Sequence, residues 1–200
     1  SPLDADLDGH ADGRDLGRLS LRLDWRRNWV LPAGIIGSVL TEGTADIYDI
    51  RQDAIYQGKT TRLDGAAAVE LRWPWVGAGK NGASHVIEPV AQLVISPKTT
   101  PALPNEDSAL VEFDEGNLFA LNRFAGSDAY ERGARANLGL NWTRHDPNGW
   151  SMGTTIGRVL RADDLGQFGP ASGLDGSHSD WLLANQITLS DGSQLTNRLL

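Results

Sequence analysis

The feature that most constrains this chain is a period of two that persists for about ten residues at a time. In LGRLSLRLDW, Leu19, Leu21, Leu23 and Trp25 share one face, while Arg18, Ser20, Arg22 and Asp24 share the other. In RLDGAAAVELRWPW, Leu63, Ala67, Val69, Leu71, Trp73 and Trp75 oppose Arg62, Asp64, Glu70 and Arg72. In HVIEPVAQLVIS, Ile87, Ala91, Leu93 and Ile95 oppose Glu88, Gln92 and Ser96, with Val90 and Val94 breaking the pattern. Strand side chains point alternately to opposite faces, so each run reads as a strand with one apolar and one polar side. Ile35 to Ile50 alternates less cleanly, and further strands are expected near 134–144, 150–161, 181–190 and 194–200. That makes about eight strands, several near ten residues, where a globular strand averages about five or six.

The connections add an order. The links around NWVLPAG, VGAGKNGAS, HDPNG and SDGS are short, whereas those at about 51–61, 97–133 and 163–179 are longer. Short turns on one rim and long loops on the other are the habit of an outer-membrane barrel, with its periplasmic and external ends. All seven tryptophans fall on the apolar faces, and six of them, Trp25, Trp29, Trp73, Trp75, Trp142 and Trp150, lie near the short turns. Indole has an apolar body and one N–H donor, which suits the boundary between hydrocarbon and water. The fold class expected is all-β: an antiparallel up-and-down meander forming part of a transmembrane β-barrel. Leu21, Leu23, Leu71, Leu93, Leu138 and Leu140 are the lipid-facing candidates, and the six tryptophans are the aromatic girdle. Two other readings fit the same pattern. One is a complete small outer-membrane barrel for anchoring or adhesion. The other is a soluble β-sandwich, a binding module or enzyme, with tryptophans filling its core.

Composition narrows function. The 18 basic and 26 acidic residues leave a net charge of −8, opposite to the basic surface that nucleic acid selects. With no cysteine, a thiolate nucleophile, a disulfide framework and a zinc–thiolate site are excluded within these residues. No apolar run is long enough for a transmembrane helix. Residues 1–15 read as a polar leader and LTNRLL as mid-strand, so the chain is expected to be a piece of something larger. The acidic pairs Glu106–Asp107, Asp114–Glu115 and Asp163–Asp164 read as solvated loop charges. Ser108 and Ser127 lack the GxSxG context of a hydrolase nucleophile, and GAGKNG lacks phosphate-loop spacing and reads as a turn. No catalytic residue, cofactor or metal is predicted.

The stretch NLFALNRFAGSDAYERGARANLGLNW, residues 117–142, needs another explanation. It concentrates Asn122, Arg123, Asp128, Glu131 and Arg135 immediately before a strand, with Phe119, Leu121 and Phe124 alternating among polar groups. Charge-assisted Arg–carboxylate pairs can fix a loop, so these five residues are the candidates for ordering the long 97–133 loop on the lumen side.

VIEPVAQLVISP, PNEDS, FDEGNLFALNRFAGSD and ERGARANLGLNW, in that order, resemble the barrel region of the LPS-assembly protein family, LptD (OstA/Imp). A looser likeness lies in RLDWRRNWVLPAG. The resemblance implies a segment of a very large Gram-negative outer-membrane barrel and a transport protein, not an enzyme. It further implies an LptE-type lipoprotein plug, and a periplasmic LptA-type bridge reached through a jelly-roll domain outside this segment. The cargo it implies is lipopolysaccharide.

Overall fold

A computed structural model describes residues 15–51, 58–99, 111–124, 126 and 129–200. Nine strands form one antiparallel sheet: β1 (Asp15–Val30), β2 (Ile36–Arg51), β3 (Gly58–Arg72), β4 (Trp75–Ala78), β5 (Ser84–Ile95), β6 (Arg135–His145), β7 (Ser151–Arg161), β8 (Leu182–Thr188) and β9 (Gln194–Leu199). The order is a meander, β1-β2-β3-β5-β6-β7-β8-β9, with β4 also paired to β5. One physical strand carries both β3 and β4. Arg72 pairs with Val90, the Trp73 amide donates to the Pro89 carbonyl at 3.1 Å, and Trp75 pairs with Ile87, all in one register. Pro74 has no N–H to give, so it interrupts the ladder without shifting it. The RWPW run, expected as one strand, is therefore one strand with a break.

The short connections 31–35, 79–83, 146–150 and 189–193 each hold one glycine at a φ between +75° and +88°, Gly34, Gly82, Gly149 and Gly192. Tight reversals need that left-handed backbone, and glycine adopts it without a Cβ penalty. The second connection is shorter than its sequence indicates. β2 and β3 stay paired to Ile50 and Gly58, leaving only 52–57 between them. Polar rim residues such as Asp49 and Lys59 continue the ladder because backbone pairing does not depend on the side chain. Length asymmetry thus resides in the links 96–134 and 162–181.

The two faces differ sharply. One is bare and apolar: Leu21, Leu23, Leu71, Leu93, Leu138 and Leu140 all lie on it, 40% to 68% exposed. The other is polar and covered by the two long links. Val111, Phe113, Leu118, Phe168 and Leu174 from those links pack on Val159, Leu182 and Ala184 of the wall, with Phe119 and Phe124 against them. A second cluster joins Tyr130 and Leu121 to Leu40, Ala66, Ala68 and Val94. Val90 and Val94, the residues that spoiled the alternation, point to this covered face and are buried there. The links also grip each other, through the Phe113 amide on the Ser172 carbonyl at 2.9 Å and a Phe124–Phe168 stack at 5.0 Å. The dry centre therefore lies between sheet and loops. It is not sealed between two stacked sheets, and β1 and β9 do not pair to close a small barrel.

Leu118 seats in a notch of the wall made by two facing glycines, Gly139 and Gly157. A Cβ on Gly157 would lie 2.3 Å from Leu118 Cδ2, and one on Gly139 would lie 2.7 Å from Phe119 Cζ. Gly157→Ala is expected to destabilise by about 1–3 kcal/mol, as overpacking does. The check is protease sensitivity of 111–134 in the full-length protein, which should rise while the sheet stays folded.

Candidate functional site: a buried ionic node on the covered face

The register itself creates an electrostatic problem. Arg135 on β6 and Arg161 on β7 are direct cross-strand partners on the covered face, and like charges placed opposite each other destabilise a sheet. Their compensation comes from the long link. Glu131, fully buried, lies 3.2 Å from Arg161 and 3.5 Å from Arg135, and Arg123 of the same link lies 2.6 Å from it. Three guanidiniums thus enclose one carboxylate. Their other N–H groups grip backbone: Arg123 donates to the Leu118 carbonyl at 2.6 Å, Arg161 to Leu174 at 2.9 Å, and Arg135 to Leu121. Asn122 pins the two legs of the link together. Its amide donates to the Ala129 carbonyl at 3.0 Å, and its oxygen accepts the Glu131 amide at 3.0 Å.

From this node a polar rail crosses the wall. Arg123 donates to Asn137 at 2.9 Å, Asn137 to Gln92 at 2.6 Å, and Gln92 to Glu70 at 3.0 Å. Glu70 then accepts from Arg26 at 2.8 Å and Arg72 at 2.7 Å. Glu70, Gln92 and Asn137 are successive cross-strand partners on β3, β5 and β6. A second cluster ties β1, β2 and β3, where Asp46 accepts from Ser20 at 2.5 Å, Arg62 at 2.9 Å and Arg18 at 3.0 Å. Tyr130 joins the loop to this side through its hydroxyl, which donates to Glu42 at 3.0 Å.

Of the five loop residues singled out in the sequence, Asn122, Arg123, Glu131 and Arg135 come together here. Asp128 lies outside the described residues. Arg161, Asn137, Gln92 and Glu70 belong to the same network, and nothing in the sequence marks them as site residues. Their signal was the inward phase of the alternation, which says they face the polar side but not which of them meet. The tryptophans stand apart from the node, on the bare face. Trp25, Trp29, Trp73 and Trp75 are 39% to 51% exposed, whereas Trp142 and Trp150 are half-buried. Near the short turns Trp73 donates its indole N–H to the Ala33 carbonyl at 2.9 Å, Trp142 to His85 at 3.3 Å, and Arg144 covers Trp150 at 4.9 Å. Trp181 lies at the opposite end, beneath Arg158 at 5.3 Å. Among the described residues no cluster of three or more metal-ligating side chains occurs.

Burial disfavours ionisation of Glu131, but Arg123, then Arg135 and Arg161, outweigh it and hold the carboxyl below the 4.5 of a free glutamate. A lowered folded value means the ionised carboxylate stabilises the fold. That contribution is complete above pH ~5 and is lost as pH falls through the lowered value. Protection of the link from proteolysis should follow that profile. Glu131→Gln leaves three buried guanidiniums without their counter-charge and should cost about 3–5 kcal/mol, whereas pairing Glu131→Leu with Arg123→Met should recover part of that loss. Urea midpoints of the single and double variants check this.

No curated protein matches this chain. The model of the LPS transport system D family, LptD, matches residues 6–199, nearly all of it. A two-faced antiparallel wall with its polar side stapled to a long link is therefore a segment of a transport component found in the outer membrane: the chain belongs to the LptD family.

Proposed function

We propose that residues 1–200 form part of the wall of an integral outer-membrane barrel that assembles lipopolysaccharide into the outer leaflet. The observation that carries this reading is the segregation of the two faces. In hydrocarbon every backbone N–H and C=O needs an internal partner, which paired strands of a barrel supply. The bare face would then meet acyl chains through Leu21, Leu23, Leu71, Leu93, Leu138 and Leu140. Trp25, Trp29, Trp73, Trp75, Trp142 and Trp150 would mark the interface at the short-turn rim. The covered face would line the interior, where Arg, Glu and Gln are tolerated because water or another polar group can reach them. The residues before β1 would be a polar leader and the link after β5 an inward-folded loop.

Within that reading Asn122, Arg123, Asp128, Glu131 and Arg135 order the loop and so set the width of the lumen. The covered face is also where an LptE-type lipoprotein plug would dock. Cargo would arrive from an LptA-type periplasmic bridge through a jelly-roll domain elsewhere in the protein. Transfer then rests on amphipathic sorting, with acyl chains leaving toward lipid and sugars staying on the polar side. The net charge of −8 opposes any simple attraction of the anionic cargo.

Two neighbouring positions on opposite faces test the assignment of lipid and lumen. Leu21, 59% exposed on the bare face, should not accept arginine: Leu21→Arg is expected to cost about 2–4 kcal/mol at mid-depth and to lower assembled barrel in the membrane. Thr44 faces the covered side between Asp64 and Arg22, so Thr44→Arg should cost no more than the ~1 kcal/mol of one like-charge neighbour and should assemble far better than Leu21→Arg. Equal assembly of both variants, measured by heat-modifiable mobility of the full-length protein, would overturn the reading.

A further inference from the structure

Between the loop and the short turns, the covered face carries a groove of about 380 Å³, within the roughly 300–1,000 Å³ of small-molecule sites. Its floor is laid by register. Glu88, Asn141, Thr155 and Ala184 are successive cross-strand partners on β5 to β8, and Thr143, Gly153 and Gln186 form the adjacent rung. Glu115 of the long link also lines the groove and is held by Arg198 at 2.9 Å.

The chemistry of that lining is selective. Asn141 accepts the Thr155 hydroxyl at 2.9 Å, which leaves its two amide hydrogens for a guest. Gln186 donates toward Gln194 at 3.4 Å and keeps its carbonyl. Glu88 and Glu115 offer further carboxylate oxygens, and the two cations nearest them, Arg72 and Arg198, are already their partners. Among the described residues, phosphate would meet two carboxylates and only arginines already paired with them. A sugar hydroxyl both donates and accepts, and matches amide, hydroxyl and carboxylate together. Ala184 supplies a small apolar floor for a C–H face. Gly153 leaves the space open: a Cβ built there meets no atom within 4 Å.

We propose that this groove is a subsite for an uncharged stretch of oligosaccharide and that it discriminates against phosphorylated groups. The inference rests on the covered face being the interior of the lipopolysaccharide transporter. Full-length protein in cells, carrying a benzophenone amino acid at Thr143 in the groove or at Asn28 on the same face of β1, tests it. The comparison is between cells making lipopolysaccharide with a sugar core and cells making a form truncated to lipid A and its innermost sugars. Capture at position 143 should favour the core-bearing form about tenfold, as the loss of one or two hydrogen bonds would give. Gly153→Leu fills the groove and should reduce capture at 143 on the order of tenfold while leaving capture at 28 unchanged. Equal capture of the two forms at 143, or indifference to Gly153→Leu, overturns the subsite. Capture at 28 with none at 143 also sinks the subsite alone. Absence of capture at both positions sinks the transport reading with it.

Discussion

Two arginines forced to face each other set the terms for this structure. The register that pairs Arg135 with Arg161 cannot slip by one residue, because a slip would carry the bare-face residues of β7, Ile156 and Leu160, to the polar side. The wall therefore holds a like-charge pair, and among the described residues the only carboxylate within salt-bridge distance of both comes from the link. Glu131 cannot serve the wall without bringing its loop along. Arg123, Asn122 and Leu118 then fix the path of that loop. The same contact explains why so many specific polar residues precede a strand whose far face is apolar: they belong to the wall as much as to the loop.

Ion pairs out of water are weak stabilisers on their own, since desolvation offsets most of the attraction. Their use here is in fixing geometry. The apolar clusters beneath the loop supply the general driving force, and the guanidinium–carboxylate node selects one position for it. Leu118 in the Gly139–Gly157 notch does the same by shape. A loop anchored by both charge and shape is held against the wall at separate points and keeps a defined polar surface. The groove between it and the short turns depends on that placement, because Glu115 reaches the groove only when the loop lies where it does.

Much of the architecture was legible in the residues. Alternation gave the strands and their two faces, and VIEPVAQLVISP through ERGARANLGLNW, with RLDWRRNWVLPAG more loosely, carried the family likeness that the LPS transport system D match bears out. Val90 and Val94 looked like defects in the pattern and were its most informative part: an inward valine in a polar row marks where something dry must cover the wall. The connection 52–57 looks longer in the sequence because polar rim residues resemble loop, although their backbones still pair. Arg161 has no local signal in the sequence, because its partner Glu131 is thirty residues away.

What the sequence by itself determined is parity: which side chains share a face, fixed by the geometry of an extended chain. What only the tertiary structure decided is rank, meaning which residues of a face stand on the same rung. Glu70, Gln92 and Asn137 form one rail, and Glu88, Asn141 and Thr155 one groove floor, because four tight turns and two long links set the offset between strands. Parity is local and survives in any arrangement of the strands. Rank depends on hydrogen-bond register summed over distant segments, and the chemistry of the covered face follows from rank.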